Sequence, residues 1–169
     1  MPSETPETMP AETDWPLESR PGYLIRRLHQ IHVGLFNDAC ADFKVTPLQY
    51  SLMTALATLA RAGITSADQT TLANHVALDR TTTTGALKRL ESRGFIRRER
   101  STRDRRSHES ALTQSGREVL RSMEESARRA HRQTLSGLGV EEADLFMTLL
   151  KQILKSHDRT EVIAPACDG

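Results

Sequence analysis

From Asp79 to Gly94 the sequence writes a complete helix with its own start, its own stop and one face that the core does not need. Asp79 is a side-chain acceptor for the first unpaired N–H groups, and Gly94 suits the left-handed residue that commonly ends a helix. Thr83, Ala86, Leu87 and Leu90 fall on one side, while Thr81, Thr84, Gly85, Lys88 and Ser92 fall on the other. Four consecutive threonines, Thr81 to Thr84, are poor helix formers, so local stability does not account for them. Upstream, Leu72, Ala73 and Val76 mark a short helix with Ser66 or Asp68 as its cap, and Ala77, Leu78 and Asp79 form the connecting turn. A short helix, a tight turn and a longer helix with small polar residues outward is a helix-turn-helix pattern, whose second helix enters a major groove.

Charge agrees with that reading. Between Arg80 and Arg106 ten basic residues face three acidic ones, a net +7 in a chain whose total is +1. The rest of the chain is therefore acidic. A basic block of this kind predicts a polyanion-binding surface, because each phosphate neutralised releases counterions. Arg80, Thr81, Thr82, Thr84, Gly85, Lys88 and Arg89 are the candidate DNA contacts from the helix. Thr hydroxyls and methyls suit base edges and phosphates, Gly85 permits close approach, and the cations suit phosphates or guanine. Phe95 to Arg100 reads as an edge strand, Ser101 to Ser107 as a polar turn, and His108 to Leu112 as the returning strand. Arg103, Arg105 and Arg106 at the hairpin tip would reach the neighbouring minor groove or the backbone. Arg97, Arg98 and Arg100 alternate faces, so only some can join them, and Arg98 is taken as the contact.

Around this centre the periodicity is helical. Leu24, Leu28, Ile31, Leu35 and Ala39 mark a helix from Tyr23 to about Asp42, and Thr46-Pro47 opens a second that runs to about Ala60. Thr113 caps a long helix with Val119, Leu120, Met123, Ala127, Ala130 and Leu135 on one stripe, ended by Gly137 and Gly139. A last helix, Glu141 to His157, is expected to bury Leu145, Phe146, Leu149, Leu150, Ile153 and Leu154. The fold class expected is mainly α with a small β-wing. Residues 1–19, with four prolines and five acidic residues, read as a flexible acidic tail, and residues 158–169 as a loose one.

The run Asp104, Arg105, Arg106, Ser107, His108, Glu109, Ser110, Ala111, Leu112, Thr113 resembles the D-x-R-x-x-x-x-x-L-T wing signature of the MarR (multiple antibiotic resistance regulator) family. Leu90-Glu91-Ser92-Arg93-Gly94-Phe95-Ile96 is similar to that family's passage into the wing, and Thr113 to Arg117 and the order of elements extend the resemblance over about residues 22–157. The resemblance implies a winged helix-turn-helix domain over residues 20–157. Its DNA-binding lobe would span about 46–113, with dimerisation helices at about 22–43 and 114–157. It also implies a homodimer that represses from a pseudo-palindromic double-stranded operator. In this pattern Asp104 would steady the wing by pairing with an arginine of the hairpin, and Arg106 would touch DNA.

The same resemblance implies a small aromatic or phenolic effector, held in a crevice beside the DNA-binding lobe. The candidate lining is Arg26 or Arg27, His32 and Phe36 from the first helix with Gln49, Tyr50 and Met53 from the second. Arginine pairs bidentately with a carboxylate, and an imidazole can meet a ring hydroxyl. Helical projection favours Arg27. Similarity to family members with an arginine and a histidine six apart favours Arg26, and both stay open.

Other classes fare worse. With two cysteines, Cys40 and Cys167, neither a disulfide framework nor a structural metal site is expected, and no cofactor is implied. His29 and His32 lack the further ligands that zinc needs. No G-x-S-x-G, H-E-x-x-H or phosphate-cradling glycine loop occurs, so no catalytic residue is assigned and no enzyme is expected. Neither a signal peptide nor a membrane span is read, which points to the cytoplasm. Two alternatives remain: an oxidant sensor acting through Cys40, and a protein-interaction module without DNA activity, which would leave the +7 segment without a task.

Overall fold

A computed structural model describes residues 15–101 and 107–158. Six α-helices and a small antiparallel sheet follow in the order α1 (Pro21–Ala39), α2 (Pro47–Arg61), β1 (Ala67–Asp68), α3 (Gln69–His75), α4 (Arg80–Ser92), β2 (Ile96–Arg100), β3 (His108–Leu112), α5 (Gln114–Thr134) and α6 (Val140–Asp158). The architecture is the mainly α fold with a β-wing that the pattern predicts. The chain divides into two compact units after His131.

Caps placed in the sequence set the helix starts of the first unit. Thr46 and Gln49 form a reciprocal capping box ahead of α2, with Pro47 at its first turn. Of the two candidate caps for α3, Asp68 is the one used, accepting from the Thr70 and Thr71 N–H groups. Asp79 accepts from Thr82 N–H and caps α4. Gly94 follows α4 with φ +72°, where a side chain would be strained, and its N–H donates to the Glu91 carbonyl. The first helix stops earlier than its apolar spacing predicts. Cys40 closes it, and Ala41–Phe43 forms one 3-10 turn instead. Leu17–Ser19, within the stretch read as a tail, also forms a 3-10 turn.

The core of this unit gathers Phe36 from α1, Leu52, Met53 and Leu56 from α2, Leu72 from α3, Leu87 and Leu90 from α4, Ile96 from β2 and Met123 and Ala127 from α5. Fully burying a side chain of this size contributes roughly 1.5–3 kcal/mol, so these residues hold the helix-turn-helix against its neighbours. The sheet runs β1-β3-β2. Its hairpin pairs Ile96 with Leu112 and Arg100 with His108. The two-residue strand β1, which alternation cannot reveal at that length, pairs Ala67 with Ser110. Glu109 ties three segments together by accepting from Ser66 Oγ at 2.5 Å and Ser101 Oγ at 2.8 Å.

The second unit contains α6, entered through Gly139, whose N–H donates to Glu142. Here an expectation fails. Phe146 and Leu150 are half-buried, but Leu145, Leu149, Ile153 and Leu154 are each about half exposed or more. The stripe of α6 is apolar as the sequence requires, yet within the described residues of a single chain nothing covers it. Among the described residues no helix is long and apolar enough to cross a membrane.

Candidate nucleic-acid interface and an adjoining cavity

The outward face of α4 is the face with no core role. Arg80, Thr81, Thr82, Lys88 and Arg89 are exposed, Thr84 and Gly85 are half-buried, and Thr83 is fully buried. A Cβ on Gly85 would meet nothing within 4 Å, so no contact inside the chain requires glycine there. The threonines are not equivalent. Thr82 Oγ1 donates to the Asp79 carboxylate at 2.6 Å, and Thr83 Oγ1 donates to the Asp79 carbonyl at 2.9 Å. Thr84 Oγ1 donates to the Arg80 carbonyl and accepts from Gln69 Nε2, each at 2.6 Å. Gln69 also donates to the Arg80 carbonyl at 3.0 Å, locking the start of α3 to the first turn of α4. Sequence reading missed Gln69, because a link from one helix start to another leaves no periodic trace. Hydrogen bonds from Thr82, its hydroxyl foremost and then its N–H, hold the Asp79 carboxyl below the usual carboxylate range.

On the hairpin, Arg98 departs from its expected role. Its side chain is only 12% exposed and lies 3.8 Å from Glu91 of α4, and its Nε is buried without a hydrogen-bond partner among the described residues. The reason is phase. Ile96 points into the core, and Arg98, two residues on, shares that inner side. Arg97 and Arg100 are exposed, with Arg97 paired to Glu99 at 3.1 Å. Arg100 shares the side of Ile96 and Arg98 by alternation but is exposed at the end of the strand, a cation that the sequence reading passed over. The tip residues Arg103, Asp104, Arg105 and Arg106 lie outside the described residues.

Within the first unit, a cavity of about 560 Å³ opens between α1, α2, the end of α3 and α5. His32, Phe36 and Tyr50 line it, as their positions on the first two helices predict. Gln49 and Met53 do not. Gln49 is buried in the capping box, and Met53 is fully buried in the core, because both sit on the α2 face that turns inward. Neither Arg26 nor Arg27 is part of the lining; both are exposed, and Arg26 lies over the Tyr23 ring at 5.8 Å. The additions come from elements distant in sequence: His131 of α5, and His75, Val76 and Ala77 at the end of α3 and in the turn toward α4. Thr54 and Thr58 follow Tyr50 at four-residue steps along α2.

Aromatic rings order the cavity floor. Phe36 and Tyr50 are 5.4 Å apart, and His32 stacks on His131 with centroids 4.9 Å apart and planes 21° apart. Burial, then the neighbouring His131 and His29, pushes the His32 pKa below the ordinary imidazole range. Burial raises that of Tyr50, so its hydroxyl remains a donor. His75 Nδ1 donates to the Thr71 carbonyl at 2.9 Å, which leaves Nε2 as its second functional atom. Cys40 is also buried, and burial pushes its thiol up, away from the thiolate that oxidant sensing requires. Among the described residues no cluster of three metal-ligating side chains occurs.

The chain is similar to known proteins along most of its length. The MarR family model matches residues 45–108, from the start of α2 to the returning strand of the wing. The HTH-type transcriptional repressor NicR of Pseudomonas putida is 26% identical over 155 residues, covering 91% of this chain and 95% of that protein. Bordetella bronchiseptica BpsR, whose DNA binding is regulated by 6-hydroxynicotinic acid, superimposes with a TM-score of 0.69 at 28% identity, covering 78% of this chain and 96% of that one. The transcriptional repressor CouR, bound to a 23-mer DNA duplex, gives 0.70 at 29% identity, covering 82% and 94%. Helix-turn-helix, wing and flanking helices agree with these matches, and the chain is similar to the MarR family over the residues that its model covers.

Proposed function

We propose that the protein is a homodimeric transcriptional repressor that reads double-stranded DNA with α4 and its wing, and releases it when a small aromatic acid or phenolic compound fills the cavity. The observation that carries this reading is the position of the cavity. One wall is Val76 and Ala77, in the turn that leads directly into the outward-facing helix α4. A guest that favours one placement of this turn shifts the population of reading and non-reading forms. NicR as a repressor, BpsR as a 6-hydroxynicotinate-regulated DNA binder and CouR on its duplex support the assignment.

In this reading Thr81, Gly85, Lys88 and Arg89 face the major groove, with Arg80 and Arg100 beside them for phosphates. Thr82 and Thr84 present their methyl groups, since their hydroxyls serve the helix start. Arg103, Arg105 and Arg106 serve the adjacent groove, and Asp104 steadies the wing by pairing with an arginine of the hairpin. The DNA-binding lobe spans about residues 46–113, and the uncovered stripe of α6 is closed by the same helix of a second copy. A repressor of this kind performs no catalysis and works in the cytoplasm, beside the chromosome.

The test is selection of duplexes from a random pool, followed by release. A pseudo-palindromic site should be enriched, binding should fall steeply with salt, and a thermal-shift panel of benzoates, hydroxybenzoates, cinnamates and pyridine carboxylates should yield a compound that dissociates the complex. Retention that is flat with salt would instead mark a protein-interaction module.

A further inference from the structure

We propose that Arg93, at the end of α4, is a positioning residue: its guanidinium ties the reading helix to the corner between α1 and α2, and that tie sets the half-site spacing the dimer accepts. The proposal rests on the homodimeric reading above and adds which residue of this chain fixes the register of its two copies on the duplex.

Arg93 counts toward the basic block of the sequence, yet its guanidinium is engaged by the protein's own backbone. Nη1 donates to the Lys44 carbonyl at 2.5 Å and Nη2 to the Phe43 carbonyl at 2.8 Å, across 49 and 50 residues of chain. Its central carbon lies 4.5 Å from the centroid of the Phe95 ring, at the entry to the wing. A planar fork reaches two neighbouring carbonyls at once, in a geometry that a single ammonium does not reproduce. The acceptors lie in a bend. Ala41–Phe43 is the 3-10 turn that follows α1, and Lys44 closes it with φ +51°, a left-handed conformation uncommon for a residue with a side chain. Arg93 therefore holds this bend from outside.

What the tie joins gives it a role in reading. On α1, Leu24, Ile25 and Ile31 are uncovered, as the apolar stripe of α6 is, so α1 belongs with α6 to the surface that a second copy closes. The corner after α1 thus follows the dimer, while α4 follows the DNA. Gln69 holds the first turn of α4 to α3, inside the motif itself. Leu87 and Leu90 bury α4 in the core, through apolar contacts that have no preferred direction. Arg93 adds a directional bond from the helix to the corner.

The helix then acts as a lever. Thr81 stands twelve residues before Arg93, which is about 18 Å at helical rise, so a swing of about 10° at the Arg93 end carries the threonine end about 3 Å. That is close to the step of about 3.4 Å between base pairs. In a two-fold symmetric dimer the separation of the half-sites is a geometric quantity, so such a swing shows as altered spacing.

The experiment is fluorescence anisotropy on the full chain with the operator enriched from the random pool, the same duplex with one base pair added or removed at its centre, and a duplex holding one half-site. Wild-type protein should prefer the enriched spacing by about tenfold or more, and Arg93→Gln should narrow this to about threefold or less. The variant should keep the half-site affinity and the salt slope of the wild type. Arg93→Lys retains the charge but not the fork and should match Arg93→Gln, and it decides the question if the glutamine variant does not fold. A purely structural loss would weaken all duplexes alike and leave the ratio between spacings unmoved. Spacing preference kept in full by either folded variant overturns the proposal. A smaller salt slope in Arg93→Gln marks a phosphate contact instead and also overturns it, with the repressor reading left standing. Wild-type protein that holds one half-site as tightly as the whole operator overturns the homodimeric reading, and the proposal with it.

Discussion

Gly116 of α5 lies against the backbone of Phe95 so closely that a Cβ would overlap the Phe95 carbonyl oxygen and sit 2.9 Å from its carbonyl carbon. Thr113 Oγ1 stitches the same junction, donating to the Gly94 carbonyl at 2.7 Å and accepting from Gly116 N–H at 3.0 Å. The start of α5 and the entry to the wing are thus one joint. Because the obstructing atoms are main chain, they have little room to give. Gly116→Ala should lower stability by about 1–3 kcal/mol, the usual cost of overpacking. Urea denaturation measures it, and an unchanged midpoint would mean that the joint slides.

Asp68 should make stability depend on pH at the acid end. Its carboxylate accepts from the N–H groups of Thr70 and Thr71 at 2.8 and 3.0 Å and from Thr71 Oγ1 at 2.9 Å. These bonds, the Thr71 N–H foremost, hold its pKa below the usual carboxylate value. The depressed folded pKa gives a contribution present above the unfolded pKa and lost as pH falls through the folded one. Asp68→Asn should keep much of the cap and flatten this part of the acid limb. Asp68→Ala should cost about 0.5–2 kcal/mol at neutral pH. Thermal melts from pH 6 to 2.5 separate the two effects.

Lys88 and Arg98 should behave as opposites. Lys88→Ala removes an exposed cation from the reading face of each protomer, so DNA affinity should fall and the slope of log affinity against log salt should shrink by about 0.9 per protomer, about 1.8 for a bound dimer. Arg98→Ala removes a side chain packed beside Glu91, so it should destabilise the folded protein and leave the salt slope unchanged. Fluorescence anisotropy over a salt series, paired with melting curves, decides each. A reduced slope for Arg98→Ala would return that residue to the interface.

Peroxide should not release the DNA. Cys40 is 1% exposed and its thiol is pushed up by burial. In a Cys167→Ser background, a thiol reagent should label Cys40 slowly in the native protein and fast after unfolding. Rapid native labelling would revive oxidant sensing.

Leu149→Glu should break the dimer. Leu145, Leu149 and Ile153 recur at four-residue steps along α6 and all are exposed in the single chain. A charge in that stripe opposes its burial against a second copy. Sedimentation should show a monomer with lost operator binding, and an intact dimer would place the interface elsewhere.

The helix-turn-helix was legible because its caps, its stop and its apolar face all lie within one short stretch; Asp79, Gly94, Leu87 and Leu90 leave little freedom. The cavity was half legible. His32, Phe36 and Tyr50 lie on the predicted sides of their helices, whereas His131, Val76 and Ala77 arrive through tertiary packing that no local period encodes. Gln49 and Met53 misled because spacing along α2 shows which residues share a face, not which neighbour that face meets. Gln49 meets its own cap and Met53 meets the core. Arg98 misled for a related reason: its charge points outward by habit, but Ile96 sets the phase of the strand. The exposed stripe of α6 was visible as apolar, but pattern alone cannot tell a core shared within one chain from one completed by another.

The turn at Val76 and Ala77 is at once cavity wall and link into the reading helix, and Ala77 holds φ +52° without being glycine. A lineage that adapts this scaffold to a new chemical signal therefore has three walls it can rewrite freely and one it cannot. Innovation in what is sensed should accumulate on α1, α2 and α5, while those two residues stay under the veto of the promoter.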